Sequence, residues 1–104
     1  MVRIWRQGDV VVREISEIPK EAVLSDTSEI RIASETGNPH VLRAVQVFET
    51  KENVRGTLHS RQQYALLEEV STMTHPQHAP LQLSAGIYQI TTVRDYAPAR
   101  RLLD

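Results

Sequence analysis

Cysteine is absent from this 104-residue chain, so neither a disulfide framework nor a thiolate zinc site can hold it together. Nothing in the composition demands an oxidising compartment, and a reducing cytoplasm is the expected location. Missing too is any run near the ~20 apolar residues of a membrane span. The start, Met1-Val2-Arg3-Ile4-Trp5-Arg6, lacks the apolar stretch of a secretory signal. These absences predict a soluble protein without membrane contact. No charge of one sign dominates either: twelve Lys plus Arg stand against thirteen Asp plus Glu, a formal net charge of −1. No bulk field therefore draws the chain to phosphates or anionic lipid. Nucleic-acid binding would need a local patch, for which Arg94, Arg100 and Arg101 are the candidates, and arginines near a terminus also serve simply as solubilising charge.

What is present points to one β-rich domain over residues 1–104. That length suits a single core, and folding should bury roughly 60–70% of the surface of the extended chain. Val10-Val11-Val12-Arg13-Glu14-Ile15 is short and β-branched and follows the turn-forming Gln7-Gly8-Asp9, which predicts a first strand. Ser16 to Ser28 mixes acids, Pro19 and small polar residues and is read as a connection with a helical turn around Lys20-Glu21-Ala22. Ile30-Arg31-Ile32 alternates as a strand does and ends at the break Thr36-Gly37-Asn38-Pro39. Val41 to Glu49 reads as one long strand, apolar on both faces and so covered on both sides.

Thr50 to Arg61 turns polar around Gly56. Tyr64 to Val70 is expected to be a strand despite its helix-forming Ala, Leu and Glu, because it is short and alternates. A Pro-containing loop, Thr74 to Pro80, precedes the fragment Leu81-Gln82-Leu83, and Ile87 to Val93 is a strand by its β-branched content. The tail from Ala97 to Asp104 offers a short helix begun by Pro98 or a segment lying along a neighbour. About six short strands with regular turn signals predict an all-β fold, a small barrel or two-sheet sandwich, with at most one short helix.

Chemistry concentrates in the histidines. His75 and His78 flank Pro76, which sits where type I and II turns favour proline, so the ends of the turn approach to within ~7 Å and both imidazoles can reach one point. His40 also follows a turn and opens a strand. Three imidazoles from two turns match the open three-ligand arrangement that leaves a position on a divalent ion such as zinc for water or substrate. The alternative is that they are polar residues of surface turns. His59 stands beside Ser60 in a polar stretch and reads as solvated. Glu35, Glu68 and Glu69 are the nearby carboxylates that could complete such a site, while Asp95 pairs locally with Arg94. Trp5 and Tyr96 read as anchors of the chain ends and Tyr88 as core. No phosphate-cradling glycine loop, nucleophile elbow or carboxylate pair at catalytic spacing is visible.

Several segments together carry a resemblance: Arg6-Gln7-Gly8-Asp9-Val10, Thr36-Gly37-Asn38-Pro39-His40, Thr74 to Leu83, Gly86-Ile87-Tyr88-Gln89-Ile90, Arg94-Asp95-Tyr96-Ala97-Pro98 and the final Asp104. The chain resembles a group of small uncharacterised bacterial and phage-encoded proteins along most of its length. In that group the middle turn usually carries two histidines one residue apart, where this chain has Asn38 and His40. An acidic pair is common between the later histidines, where this chain has Pro76-Gln77. The resemblance implies a histidine constellation and no particular reaction.

Three readings compete. In the first, His40, His75 and His78 bind a divalent metal or a small anion, with affinity for metal falling as pH drops through roughly 6.5 because protonated imidazoles do not ligate. In the second, the chain is a non-catalytic module from a mobile element whose turns and Arg-rich tail dock on a protein or nucleic acid. In the third, two histidines act as general base and acid in a metal-free hydrolase or nuclease, with Arg94 binding the electrophile. The apolar Val2-Ile4-Trp5 and Leu102-Leu103 should be packed, on their own core or in a homodimer.

Overall fold

Alternation of apolar and polar residues along short β-branched segments gives each strand one face to bury, and two sheets packed face to face satisfy that need. The computed structural model describes residues 3–33, 37–44, 46–51 and 61–92. Its strands are β1 (Ile4–Gln7), β2 (Val10–Ile15), β3 (Val23–Leu24), β4 (Glu29–Ile32), β5 (His40–Arg43), β6 (Gln46–Lys51), β7 (Arg61–Leu67), β8 (Ser71–His75), β9 (His78–Leu83) and β10 (Gly86–Thr92). One sheet has the order β1-β2-β10-β7-β6-β3 and the other β4-β5-β8-β9, all pairs antiparallel. The fold is therefore all-β and a two-sheet sandwich rather than a closed barrel.

The core lies between the inner faces. Val10 and Val12 of β2, Ile90 and Tyr88 of β10, Ala65 and Leu67 of β7 and Val47 of β6 meet Ile30, Leu42, Met73 and Leu83 of the second sheet. Strand β10 occupies the middle of the larger sheet because Tyr88 and Ile90 bury completely while its backbone pairs on both sides, Ile90 with Val12 and with Gln63. Tyr88 carries its hydroxyl to the edge of this core, where it donates to the Ser84 carbonyl at 2.7 Å.

Several sequence expectations change. The long strand over Val41 to Glu49 is two strands in different sheets: β5 pairs with β4, β6 with β7, and the Ala44 N–H returns to the Ser28 carbonyl at 2.8 Å. A chain crossing between layers carries apolar residues on both phases, which mimics one strand covered on both faces. No helix occurs among the described residues, and the helical turn around Lys20 is a turn closed by Ala22 N–H to the Pro19 carbonyl, leading into β3. Strand β1 has no periodicity strong enough to announce it. The Pro-containing loop shrinks to Pro76-Gln77, because β8 and β9 extend inward until His75 and His78 pair across the hairpin. The polar turn around Gly56, His59, Glu35, Val45 and everything from Val93 onward, including the arginine cluster and the tail helix, lie outside the described residues.

Candidate functional site

The strand periodicity that fills the core also drives polar side chains into it at one end. His40 is two residues before Leu42 on β5, Gln7 two after Trp5 on β1, and His75 two after Met73 on β8. Each shares the inward phase of its apolar neighbour, and all three are buried: Gln7 3%, His40 1% and His75 5% exposed. His78 opens β9 and is exposed.

The three histidines expected from the sequence converge. Ring centroids are 4.3 Å apart for His40 and His75, 4.7 Å for His75 and His78 and 5.9 Å for His40 and His78, the last two planes inclined by only 13°. The two turns read separately along the chain are neighbours because β5 and β8 pair, Val41 opposite Thr74. As the side chains stand, no three His, Cys, Asp or Glu residues among those described form a ready-made metal-holding group.

Hydrogen bonds hold the buried pair. The Gln7 amide nitrogen donates to the Met73 carbonyl at 3.0 Å and the Ala79 carbonyl at 2.9 Å, while its oxygen meets His40 Nδ1 at 2.9 Å. His75 Nε2 lies 3.1 Å from the Asn38 carbonyl, and the Gln77 N–H reaches His75 Nδ1 at 3.0 Å. The remaining nitrogen of His40, Nε2, is buried and has no hydrogen-bond partner, although Asp9 Oδ1 stands 3.3 Å away. We read this contact as electrostatic proximity without hydrogen-bond alignment. Burial, together with the neighbouring His75, lowers the pKa of His40 below its ordinary 6.5, and the Asp9 carboxylate only partly opposes them. A buried imidazole of this kind favours its neutral form.

Gly8 completes the geometry. Its φ of 61° is left-handed, and a Cβ on it would lie 2.6 Å from His78 Nε2. Glycine at this turn thus admits the His78 ring to the backbone of the β1–β2 hairpin, beside Asp9. Sequence reasoning singled out the histidines but missed Gln7 and Asp9. Their signal was the turn Gln7-Gly8-Asp9 itself, with Gln7 on the buried phase of a strand too short to recognise. Of the carboxylates nominated, Glu68 and Glu69 lie beyond the end of β7 at a recess shared with Arg43 and Val70, and no described contact joins them to the histidines.

The model of the family described as Domain of unknown function (DUF8820) fits residues 6–93, a span that includes Gln7, Asp9 and all three clustered histidines. No curated protein and no solved structure matches the chain.

Proposed function

We propose that this chain, which belongs to the family Domain of unknown function (DUF8820), binds a divalent metal ion at the histidine end of its sandwich. The observation that carries the reading is the buried His40 Nε2, without a hydrogen bond and 3.3 Å from the Asp9 carboxylate. A buried polar atom left unpaired costs about 1–3 kcal/mol. A lone pair facing a carboxylate adds repulsion, and a cation between them removes both. Imidazole nitrogens with one carboxylate suit zinc, nickel or iron and leave a coordination position open. Closing the site needs rotation of His78, an exposed side chain already against Gly8. The cysteine-free composition is compatible with a reducing cytoplasm.

Titration calorimetry with Zn²⁺, Ni²⁺ and Mn²⁺ on protein without a histidine tag tests the reading. Binding by the parent is expected, with His78→Ala weakening it at least about tenfold, a size typical of losing support at a metal site, and His59→Ala leaving it unchanged. Absence of heat with all three ions refutes the proposal. A second reading, a protein-interaction module, draws on both edges of the larger sheet. Ile4 of β1 is 50% exposed, and Val23 and Leu24 of β3 are 69% and 55% exposed. Light scattering on the parent and on Val23→Lys tests for a dimer through those edges.

A further inference from the structure

We infer that Gln7 fixes His40 as the tautomer with hydrogen on Nδ1, so that the cation ligands are His40 Nε2, Asp9 and His78, while His75 is a wall of the site and not a ligand. This rests on the metal-binding reading above and assigns its donors.

The assignment follows from counting donors and acceptors. Two backbone carbonyls, of Met73 and Ala79, lie 3.0 and 2.9 Å from one terminal atom of Gln7. Carbonyls only accept, so that atom must be the NH₂ group; the reversed amide would set oxygen against two oxygens. The other terminal atom is then the amide oxygen, also only an acceptor, and it faces His40 Nδ1 at 2.9 Å. Nδ1 must therefore carry hydrogen. In the neutral ring this leaves Nε2 bare, with its lone pair directed to the side where Asp9 stands.

His75 resolves in the opposite sense. The Gln77 backbone N–H can only donate, so His75 Nδ1 accepts and bears no hydrogen. Its hydrogen is on Nε2, which donates to the Asn38 carbonyl at 3.1 Å. Both ring nitrogens of His75 are thus engaged by backbone, and neither offers a lone pair to an ion. His78 differs again: its Nε2 lies at the place where a Gly8 side chain would begin. His40 Nε2 lies 3.3 Å from Asp9 Oδ1 and His78 Nε2 lies against Gly8, so both imidazoles approach the same hairpin turn. The three residues of that turn have separate tasks. Gln7 orients the buried imidazole, Gly8 admits the second one and Asp9 supplies the charge. A hydrogen-bond acceptor behind a ligating histidine fixes its orientation and raises its basicity, and loss of such a partner typically costs 10–100-fold in metal affinity.

Nitrogen-15 NMR of the imidazoles in the metal-free protein reads the tautomers without reference to metal, and titration of the same sample with Zn²⁺ reads the donors. The expected result is His40 with hydrogen on Nδ1 and His75 with hydrogen on Nε2, followed by zinc-dependent shifts of His40 Nε2 and His78 while both His75 nitrogens keep their metal-free shifts. Gln7→Leu should abolish the His40 preference and weaken zinc roughly 10–100-fold, and His75→Gln, which removes no ligand, should weaken zinc less than Gln7→Leu does. A parent that binds zinc with hydrogen on His40 Nε2, or through His75, overturns the donor assignment alone. A parent whose tautomers are as assigned but that binds no zinc overturns the metal reading and the assignment with it. Because the parent spectra decide the tautomers, the outcome does not depend on Gln7→Leu folding.

Discussion

The two ends of the sandwich interior are equally buried and are held by different physics. Around Ile90, Val12, Leu42 and Val47 the contacts are apolar and non-directional, and any side chain of similar volume could serve. Around Gln7, His40 and His75 each buried group is held by named hydrogen bonds, and an isosteric replacement that lacks the right donor or acceptor cannot serve. One end is built for stability. The other spends stability on keeping polar groups oriented, and one of them, His40 Nε2, is left unsatisfied. Each buried polar group without a partner calls for an explanation; Arg13 Nε and Thr91 Oγ1 are also buried without one, and what sets His40 Nε2 apart is the Asp9 carboxylate 3.3 Å away and the two imidazoles beside it.

The largest effect that separates the ends should come from the apolar one. Ile90 is completely buried in the central strand, and Ile90→Ala should lower stability by about 2–5 kcal/mol. Val47→Ala should act in the same direction in β6. Denaturant midpoints measure both, and zinc-induced stabilisation should survive in each variant. If either change abolished metal binding while the protein stayed folded, the two ends would not be independent.

Gly8→Ala probes the junction. A left-handed φ of 61° costs an L-residue about 1–2 kcal/mol, and the new methyl would collide with His78 Nε2. Stability should fall by that order and zinc affinity should fall as His78 is displaced. Unchanged calorimetry in a folded Gly8→Ala variant would show that His78 does not use this approach.

Smaller still is the pH effect of His40. Its folded pKa lies below its ordinary 6.5, so between those two values the unfolded chain takes up a proton that the native state refuses. The stabilisation is complete above about 6.5 and declines as pH falls from there towards the folded value. Urea midpoints between pH 7.5 and 5.5 should decline in the parent and decline less in His40→Gln; equal slopes would contradict the assigned burial effect. The groups facing His40, namely Asp9, His75 and His78, are the same in both proteins.

The smallest effect belongs to the outer surface. Arg3 and Glu14 form a two-point contact at 2.9 and 3.0 Å, and this hydrogen-bonded charge lowers the Glu14 pKa. Its contribution exists above the ordinary carboxylate range and is lost as pH falls below it. The pair is solvated, so Glu14→Gln should leave the neutral-pH midpoint unchanged within error. A measurable loss would mean that the cation–π contact of Arg3 over Trp5, 5.3 Å from the ring centroid, depends on the carboxylate.

Much of this molecule was legible as sequence where the signal is local. Period-two alternation and β-branched content identify β2, β4, β7 and β10, and together they fix the all-β class, because side-chain direction on a strand depends only on position along it. Proline-flanked turns single out His40, His75 and His78. The split of Val41–Glu49 into β5 and β6 was not legible, since a crossing between layers and a doubly covered strand carry the same hydropathy pattern. Gln7 and Asp9 were hidden for a related reason: a glutamine is polar in any sequence, and only packing makes it a buried orienting group.

The sequence by itself thus determined which residues alternate, which turns are stiff and which side chains could ligate, all properties of near neighbours in the chain. Only the tertiary structure decided that β1, β5, β8 and β9 meet at one end, and with it which nitrogen of each histidine carries hydrogen. That choice depends on Gln7, 33 residues from His40 and 66 from Met73. A hydrogen bond between such distant positions leaves no periodic trace in the chain, because its partners are brought together by sheet packing and not by spacing.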